Sequence, residues 1–319
     1  MPEEASIIAN LRANFAAIGD DAAVLPFNDK ENYLVSKDIL VEHRHFRRTT
    51  TSPADLAQKA LHVNLSDIAA MGGVPLYVLL GIALPTTLPN EWVQEFLASF
   101  TKACKAADVQ LIGGDTTGSD GKIFISVTVI GRAEKSNIKY RHGAKTGDVL
   151  CVAGPLGEAH AGLMALETKA EQLDVLKAKS TRPEALLEEG AWLGTQKSVT
   201  AMMDVSDGLS IDAGHLATES KLGAIIDLEA LAPSAALLVG CTKLKLDPKE
   251  CMLAGGEDYA LLFTVAPDGF DGLAKEFEVQ FGYPLAKIGT MVEGSGVTLR
   301  EGGQPVSFTY KPFSHFGEL

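Results

Sequence analysis

The chain has 319 residues, of which 46% are hydrophobic and 22% charged, an ordinary composition for a globular protein with enough length for two domains. Its net charge of −13 argues against nucleic acid or an anionic membrane as the main partner. No apolar run approaches the roughly 20 residues of a membrane helix, and the acidic start after Met1 does not resemble a secretory signal. The four cysteines are scattered without metal-ligand spacing, so we expect a cytoplasmic protein.

The first part of the chain alternates helical and strand-like patterns. Apolar residues at helical spacing predict helices over 6–17, 52–71 and 91–107. Alternating or continuous apolar runs predict strands over 32–38, 74–84, 109–112 and 122–130. Ser52 before Pro53 is a typical helix start, with a capping side chain followed by a first-turn proline. The order of these elements predicts a mixed sheet covered by two helices.

Residues 132–139 are polar, and we place a domain boundary there, giving domains 1–138 and 139–319. In the second domain the predicted strands are 149–153, a strand ending at 204, 224–228, 259–265, 285–288 and a hairpin reaching 309. The predicted helices are 157–166, 170–179, 183–194, 208–218, most of 232–250, and 270–277. The predicted fold class is therefore α/β (α+β), with two domains that each combine a mixed sheet with helices.

Aspartates recur where apolar elements meet glycine or serine. Asp204 and Ser206 are two residues apart and share one face of a strand, and Asp207 is placed to cap the helix that follows. Ser36 and Asp38 share a strand face in the same way. Asp67 lies on the apolar stripe of its helix, where a carboxylate is unfavourable unless it is paired or bound to a metal. These positions are therefore candidates for a functional site.

Nine acidic residues occupy positions in or beside such element ends: Asp20, Asp21, Asp38, Asp67, Asp115, Asp204, Asp207, Glu257 and Asp258. One alone would be an ordinary turn, but several together predict sites for Mg²⁺, which prefers oxygen ligands. The spacing does not match an EF-hand, and P-loop, protein-kinase, dinucleotide-binding, zinc and serine-nucleophile signatures are missing. An acidic protein can still bind phosphates when divalent cations lie between the two.

Five stretches in order resemble the thiamine-monophosphate kinase family: IGDDAA at 18–23, NLSDIAAMG at 64–72, LIGGDTT at 111–117, DVSDGL at 204–209 and GGEDY at 255–259. The resemblance extends from about residue 18 to His315 and Phe316, which is nearly the whole chain. It implies the two-domain fold of the superfamily that includes aminoimidazole ribonucleotide synthetase and selenophosphate synthetase. It also implies a homodimer formed through the first domain, which would bind ATP and metal.

The activity that this resemblance implies is direct in-line transfer of the ATP γ-phosphate to thiamine monophosphate, with several Mg²⁺ ions. The implied metal positions are Asp21, Ser36, Asp38, Asp67, Asp115, Asp204 and Asp207. The implied ATP positions are Gly114, Asp115, Arg141 and Ser206, and the implied substrate positions are His45, Glu257 and Phe313. We expect Asp38, Asp67, Asp115, Arg141 and Asp204 to carry the catalysis.

Plainer roles stay open for four of these residues: a solvated loop position for His45, core packing for Phe313, a surface arginine for Arg141 and a turn cap for Glu257. Asp20 is interpreted as the turn partner of Asp21, and Asp212 and Asp258 have no matching role in the family pattern. Two other functions also stay open. One is a sister enzyme that uses the same ATP and metal cluster to activate an amide or other oxygen, and the other is a non-catalytic nucleotide or cation sensor.

Lys37 departs from the family pattern, which usually has threonine between the serine and the aspartate. Because side chains alternate along a strand, Lys37 should point to the opposite face from Ser36 and Asp38, which can still bind metal. Any ligand that the family's threonine side chain supplies is lost here. Our hypothesis is that the Lys37 ammonium replaces part of a cation's charge.

Overall fold

The computed structural model of the protein describes residues 4–15 and 17–307, and within them the side chains from residue 6 onward. The elements that build the first sheet and its helices are α1 (Glu4–Arg12), β1 (Ala23–Pro26), β2 (Glu31–Val41), α2 (Pro53–Ala70), β3 (Val74–Pro85), α3 (Asn90–Ala106), β4 (Gln110–Ser119) and β5 (Phe124–Glu134). Their strands form a five-stranded sheet in the order β1-β2-β5-β3-β4. Among the described strands of this sheet, only the β3–β4 pair is parallel, so the sheet is mixed as predicted.

Helix α2 lies between the two halves of the molecule. It begins at the Ser52 cap, whose side chain accepts the backbone N–H of Asp55 at 3.1 Å, with Pro53 in the first turn. One side of the helix packs on β2 and β5, while another packs on the later elements α6 and β7. Most of α2 is therefore buried, including polar residues such as Asn64 and Ser66.

The remaining elements build the second sheet: β6 (Val149–Ala153), α4 (Glu158–Glu167), α5 (Asp174–Thr181), α6 (Leu187–Thr195), β7 (Val199–Val205), α7 (Leu209–Glu219), β8 (Gly223–Asp227), α8 (Ala235–Leu244), α9 (Pro248–Ala254), β9 (Ala260–Val265), a 3₁₀ turn (Pro267–Gly269), α10 (Phe270–Phe281), β10 (Ala286–Val292), β11 (Gly296–Glu301) and β12 (Gln304–Val306). The strand order is β12-β11-β8-β10-β6-β9-β7. This sheet is also mixed, because β8 and β11 run parallel while β8 and β10 run antiparallel. The predicted fold class is confirmed.

Three predicted local features are wrong. Strand β4 does not end before Gly113 but continues to Ser119, so Asp115 lies inside a strand. Strand β4 can continue through this position because Gly114, with φ +154°, approaches β3 so closely that an added Cβ would clash with the Leu80 carbonyl oxygen.

Helix α7 is capped by Gly208, with φ +115°, rather than by the Asp207 side chain. Helix α1 ends at Arg12, earlier than expected.

The chain between β5 and β6 runs from residue 135 to residue 148, and the boundary at 138/139 stays a prediction. None of the helices within 4–15 and 17–307 is both long and apolar enough to cross a bilayer.

Candidate active site

Three carboxylates from three separate segments meet where α2 packs on β7. Asp21 precedes β1, Asp67 lies in α2, and Asp204 lies near the end of β7. Each can offer one oxygen such that all three oxygens lie within 4.8 Å of one another. Asp21 is 8% exposed and Asp204 is 2% exposed, so the cluster is largely shielded from water. We refer to Asp21, Asp67 and Asp204 as the acidic cluster.

The charges of the acidic cluster oppose one another. Burial raises the pKa of Asp67 well above its usual range, and the neighbouring Asp38, Asp204 and Asp21 raise it further. Burial, followed by the charge of Asp21, raises the pKa of Asp204 to about 8. A divalent cation would remove this repulsion and would receive oxygen ligands of the type that Mg²⁺ prefers. The residues present therefore fit a magnesium site.

Neighbouring polar side chains orient these carboxylates. The Ser36 hydroxyl donates to Asp67 from β2, and the Ser66 hydroxyl donates to Asp204 at 2.6 Å from α2. Asn64, one turn before Asp67, accepts the backbone N–H of Asp38 at 2.8 Å. We did not predict the roles of Ser66 and Asn64 from the sequence. Their signal was that both are polar residues beside Asp67 in the mostly apolar second half of α2.

Arg141 supplies a positive charge to the acidic cluster. Its Nη2 atom lies 2.7 Å from Asp21 Oδ1, and its Nε atom lies 3.3 Å from Asp21 Oδ2, which is a two-pronged ion pair. Its backbone N–H donates to Asp20 at 2.7 Å, so Asp20 holds the Arg141 segment rather than merely flanking Asp21. Arg141 is thus fixed beside the acidic cluster, and its contact with phosphate stays a prediction.

A second acidic group follows β7. Oxygen atoms of Asp207 and Asp212 and a ring nitrogen of His215 lie within 4.8 Å of one another. The buried Asp212 accepts the backbone N–H groups of Asp207 and Gly208 at 3.1 and 3.0 Å, which fixes the turn that enters α7. Burial raises the pKa of Asp212, and Asp207 and Asp204 add to that effect. Asp212 was not among the predicted site residues, although it shapes the turn that carries Asp207.

The predicted residues Gly114 and Asp115 lie apart from the acidic cluster. Both are exposed on β4, an edge strand of the first sheet, and Asp115 Oδ1 accepts the N–H of the adjacent Thr116. Strands β5 and β3 separate β4 from β2, so three strand spacings, roughly 14 Å along the sheet, lie between Asp115 and Asp38. One chain therefore does not bring these two predicted ligands together.

The predicted substrate residues lie at two other places. His45 follows β2, where its Nδ1 accepts the N–H of Val41 at 2.9 Å. Glu257 lies in the segment between α9 and β9 and borders a cleft that Glu158, Lys179 and Tyr259 also line. Its backbone N–H donates to the carbonyl of Ser206, at 2.8 Å. Phe313 lies outside the described residues.

Lys37 points away from Ser36 and Asp38, as expected. Its ammonium lies 2.6 Å from the Ser126 hydroxyl and 3.3 Å from the Thr128 hydroxyl, both on β5. Because the Ser36 hydroxyl reaches Asp67 instead, the two residues face opposite sides of β2.

Two family models match the chain: "AIR synthase related protein, N-terminal domain" over residues 19–133, and "AIR synthase related protein, C-terminal domain" over residues 145–301. Together with the two mixed sheets, these matches place the chain among the AIR synthase related proteins.

The thiamine-monophosphate kinase of Escherichia coli strain K12 is 36% identical over 308 residues, which cover 94% of this chain and 91% of that protein. The enzyme of the same name from Bacillus subtilis is 33% identical and covers 94% and 93%. The solved structure of AaThiL complexed with AMPPCP and TMP matches with a TM-score of 0.87 at 33% identity, covering 98% of this chain and 97% of that one. The chain therefore belongs to the thiamine-monophosphate kinase family.

Proposed function

We propose that this chain transfers the γ-phosphate of ATP to the phosphate of thiamine monophosphate, giving thiamine diphosphate and ADP, with Mg²⁺ bound at the acidic cluster. The observation that carries the proposal is the convergence of Asp21, Asp67 and Asp204 within 4.8 Å. It is supported by 36% identity to a kinase named for this substrate. The location would be the cytoplasm, in keeping with four buried cysteines that are all free.

The proposed reaction needs no general base. A phosphate oxygen of the acceptor attacks the γ-phosphorus, and the bond from that phosphorus to the bridging oxygen of ADP breaks. Because the second pKa of a phosphate monoester is about 6, the attacking oxygen is largely deprotonated at neutral pH. The main obstacle is repulsion between two anionic phosphates, which positive charge must relieve.

Each part of the site would contribute to this task in a different way. Bound Mg²⁺ would supply the positive charge that neutralises phosphate charge during phosphoryl transfer. Asp21, Asp38, Asp67 and Asp204 would hold the ions, with Ser36 as a further ligand. Arg141, fixed by Asp21, would orient a phosphate through its guanidinium.

We further propose that the chain acts as a homodimer, with 1–138 as the dimer-forming domain and 139–319 as the second domain. Large apolar side chains are exposed on strands β2 to β5 of the first sheet, namely Ile39, Tyr77, Leu111, Ile112 and Phe124. A cluster of exposed apolar residues of this kind is typical of an interface. A second copy against this sheet would also bring an Asp115 to a site whose own Asp115 is roughly three strands distant.

The decisive experiment is an assay of ADP and thiamine diphosphate formation from ATP and thiamine monophosphate, with and without Mg²⁺. We expect both products only when Mg²⁺ and thiamine monophosphate are present. ADP release with formylglycinamidine ribonucleotide, but not with thiamine monophosphate, would favour the sister enzyme. ATP binding without turnover of any phosphate acceptor would favour the sensor.

A further inference from the structure

A buried lysine of α2 reaches across to the segment that carries Glu257. Lys59 is 3% exposed, and its Nζ lies 2.8 Å from Glu257 Oε1 and 2.9 Å from Oε2. The same ammonium donates to the carbonyl of Ser180 in α5, at 3.2 Å. Lys59 thus connects α2 to two separate elements of the second half of the chain.

The backbone around Glu257 has an uncommon conformation. Glu257 has φ +66° and Tyr259 has φ +51°, left-handed conformations that are uncommon for residues with a side chain. Gly256 lies so close to the end of β7 that an added Cβ would come within 2.6 Å of the Ser206 carbonyl oxygen. The hydrogen bond from the Glu257 N–H to that same carbonyl anchors the backbone, but it leaves the side chain undirected.

The Lys59–Glu257 pair leaves part of the carboxylate available. An ionised carboxylate has about four acceptor positions on its two oxygens, and one ammonium occupies only one side of it. The Glu257 side chain is 30% exposed and borders the cleft that Glu158, Lys179 and Tyr259 also line. Since buried ion pairs often contribute little net stability, orientation of the carboxylate is a better account of this contact than stability.

We propose that Lys59 is a positioning residue of the substrate site, which holds the Glu257 carboxylate toward the cleft so that it accepts a hydrogen bond from the organic part of the substrate. This inference rests on the proposed function, in which the acceptor molecule carries an amino-substituted ring that can donate such a bond. Lys59 itself does not touch the reacting phosphates. Its loss should therefore weaken binding of the acceptor and leave ATP binding intact.

The test is steady-state kinetics of Lys59→Met, in which a flexible apolar side chain replaces the cation. We expect the KM for thiamine monophosphate to rise about tenfold or more, because an undirected carboxylate forms fewer productive hydrogen bonds, while kcat and the KM for ATP stay within about threefold. The matched control is Lys139→Met, which removes another buried lysine whose ammonium donates to the carbonyls of Gln196 and Val199. Lys139→Met should change melting temperature but neither KM.

An unchanged KM for thiamine monophosphate in Lys59→Met would overturn the proposal. If that variant does not fold, the double variant Lys59→Met, Glu257→Met removes both charges together and is compared with Glu257→Met. The proposal requires the same KM for thiamine monophosphate in both, and a further rise in the double variant contradicts it. Failure of the wild-type chain to use thiamine monophosphate would instead contradict the proposed function, so the two failures are distinguishable.

Discussion

The acidic cluster and the exposed edge at β4 differ in how completely one chain builds them. In the cluster, Asp21, Asp67 and Asp204 come from three separate segments and are buried or half-buried. They receive hydrogen bonds or an ion pair from neighbouring side chains. At the edge, Asp115 is exposed and its carboxylate contacts the N–H of Thr116, its own neighbour in sequence.

This difference shows which side chains of the site the fold of one chain brings together. The packing of α2 on elements of both sheets holds together carboxylates that repel one another. The β4 edge has no comparable packing on the described part of the chain, because β4 is exposed along nearly its whole length. Variants of Asp67 and Asp115 test whether one chain completes the acidic cluster and whether the β4 edge serves the site of a second copy.

Asp67→Asn should have the largest effect. Replacing the central carboxylate removes a metal ligand, so we expect turnover to fall by about 10³-fold or more. The fold should persist, because the substitution removes a buried charge from a set of like charges. Turnover is measured by ADP release and folding by thermal melting. Asp55→Asn, on the same helix beside Arg182, serves as the control and should stay active. Near-normal turnover of Asp67→Asn would remove Asp67 from the metal set.

Asp115→Asn should reduce turnover by a smaller factor, about 10²-fold, if Asp115 supplies one ligand at a metal site. The sharper test is to co-express Asp67→Asn with Asp115→Asn. If Asp115 serves the site of a second copy, random pairing restores about a quarter of wild-type activity, since half of the dimers contain one intact site of two. A mixture no more active than its components would show that Asp115 does not act across a dimer.

The sequence was informative about elements that carry their own periodic signal. Three features of α2 could be predicted from the sequence, because each depends on residues close together in the chain. They are the Ser52 cap, the extent of the helix and the unusual position of Asp67. The family resemblance then placed Asp21, Asp67 and Asp204 in one site, and the structure brings their oxygens within 4.8 Å.

Contacts between distant segments could not be predicted from the sequence. Lys59 and Glu257 are 198 residues apart, and Ser66 and Asp204 are 138 apart, so only the packing of α2 reveals them. The extension of β4 was missed because a Gly-Gly-Asp run usually ends a strand, whereas here Gly114 permits close approach to β3. At that position the pairing of β4 with β3 outweighs the tendency of glycine and aspartate to end a strand.

The pH dependence of the acidic cluster gives a prediction of intermediate size. An aspartate in an unfolded chain has a pKa of about 3.9, whereas that of the folded Asp204 is about 8, so the folded protein holds the proton more tightly. The stability that this group contributes is fully present below pH 4 and is lost as the pH rises toward 8, by at most about 1.4 kcal/mol per pH unit.

Metal-free protein should therefore melt at a lower temperature at pH 8 than at pH 6. Mg²⁺ should bind more tightly as the pH rises, by up to about tenfold per pH unit for each proton displaced. Melting curves in EDTA and in saturating Mg²⁺ at pH 6, 7 and 8 provide the measurement. Asp258, whose pKa burial raises to about 7, is present in both conditions, so its contribution cancels in the difference between them. A magnesium-induced shift that does not grow with pH would contradict this assignment.

Lys37→Thr should have the smallest effect on turnover, because it removes a positive charge near the proposed metal site and not a metal ligand. Lys37 faces Ser126 and Thr128, away from Ser36 and Asp67, so its loss leaves the acidic cluster assembled. If its ammonium replaces part of a cation's charge, the threonine variant should need about threefold more Mg²⁺ for half-maximal turnover, as expected for a partly exposed charge. The measurement is a titration of turnover against Mg²⁺ concentration for the wild type and for Lys37→Thr. Lys37→Arg keeps the charge and should behave as the wild type, whereas an unchanged requirement in Lys37→Thr would show that the lysine only bonds to the two hydroxyls of β5.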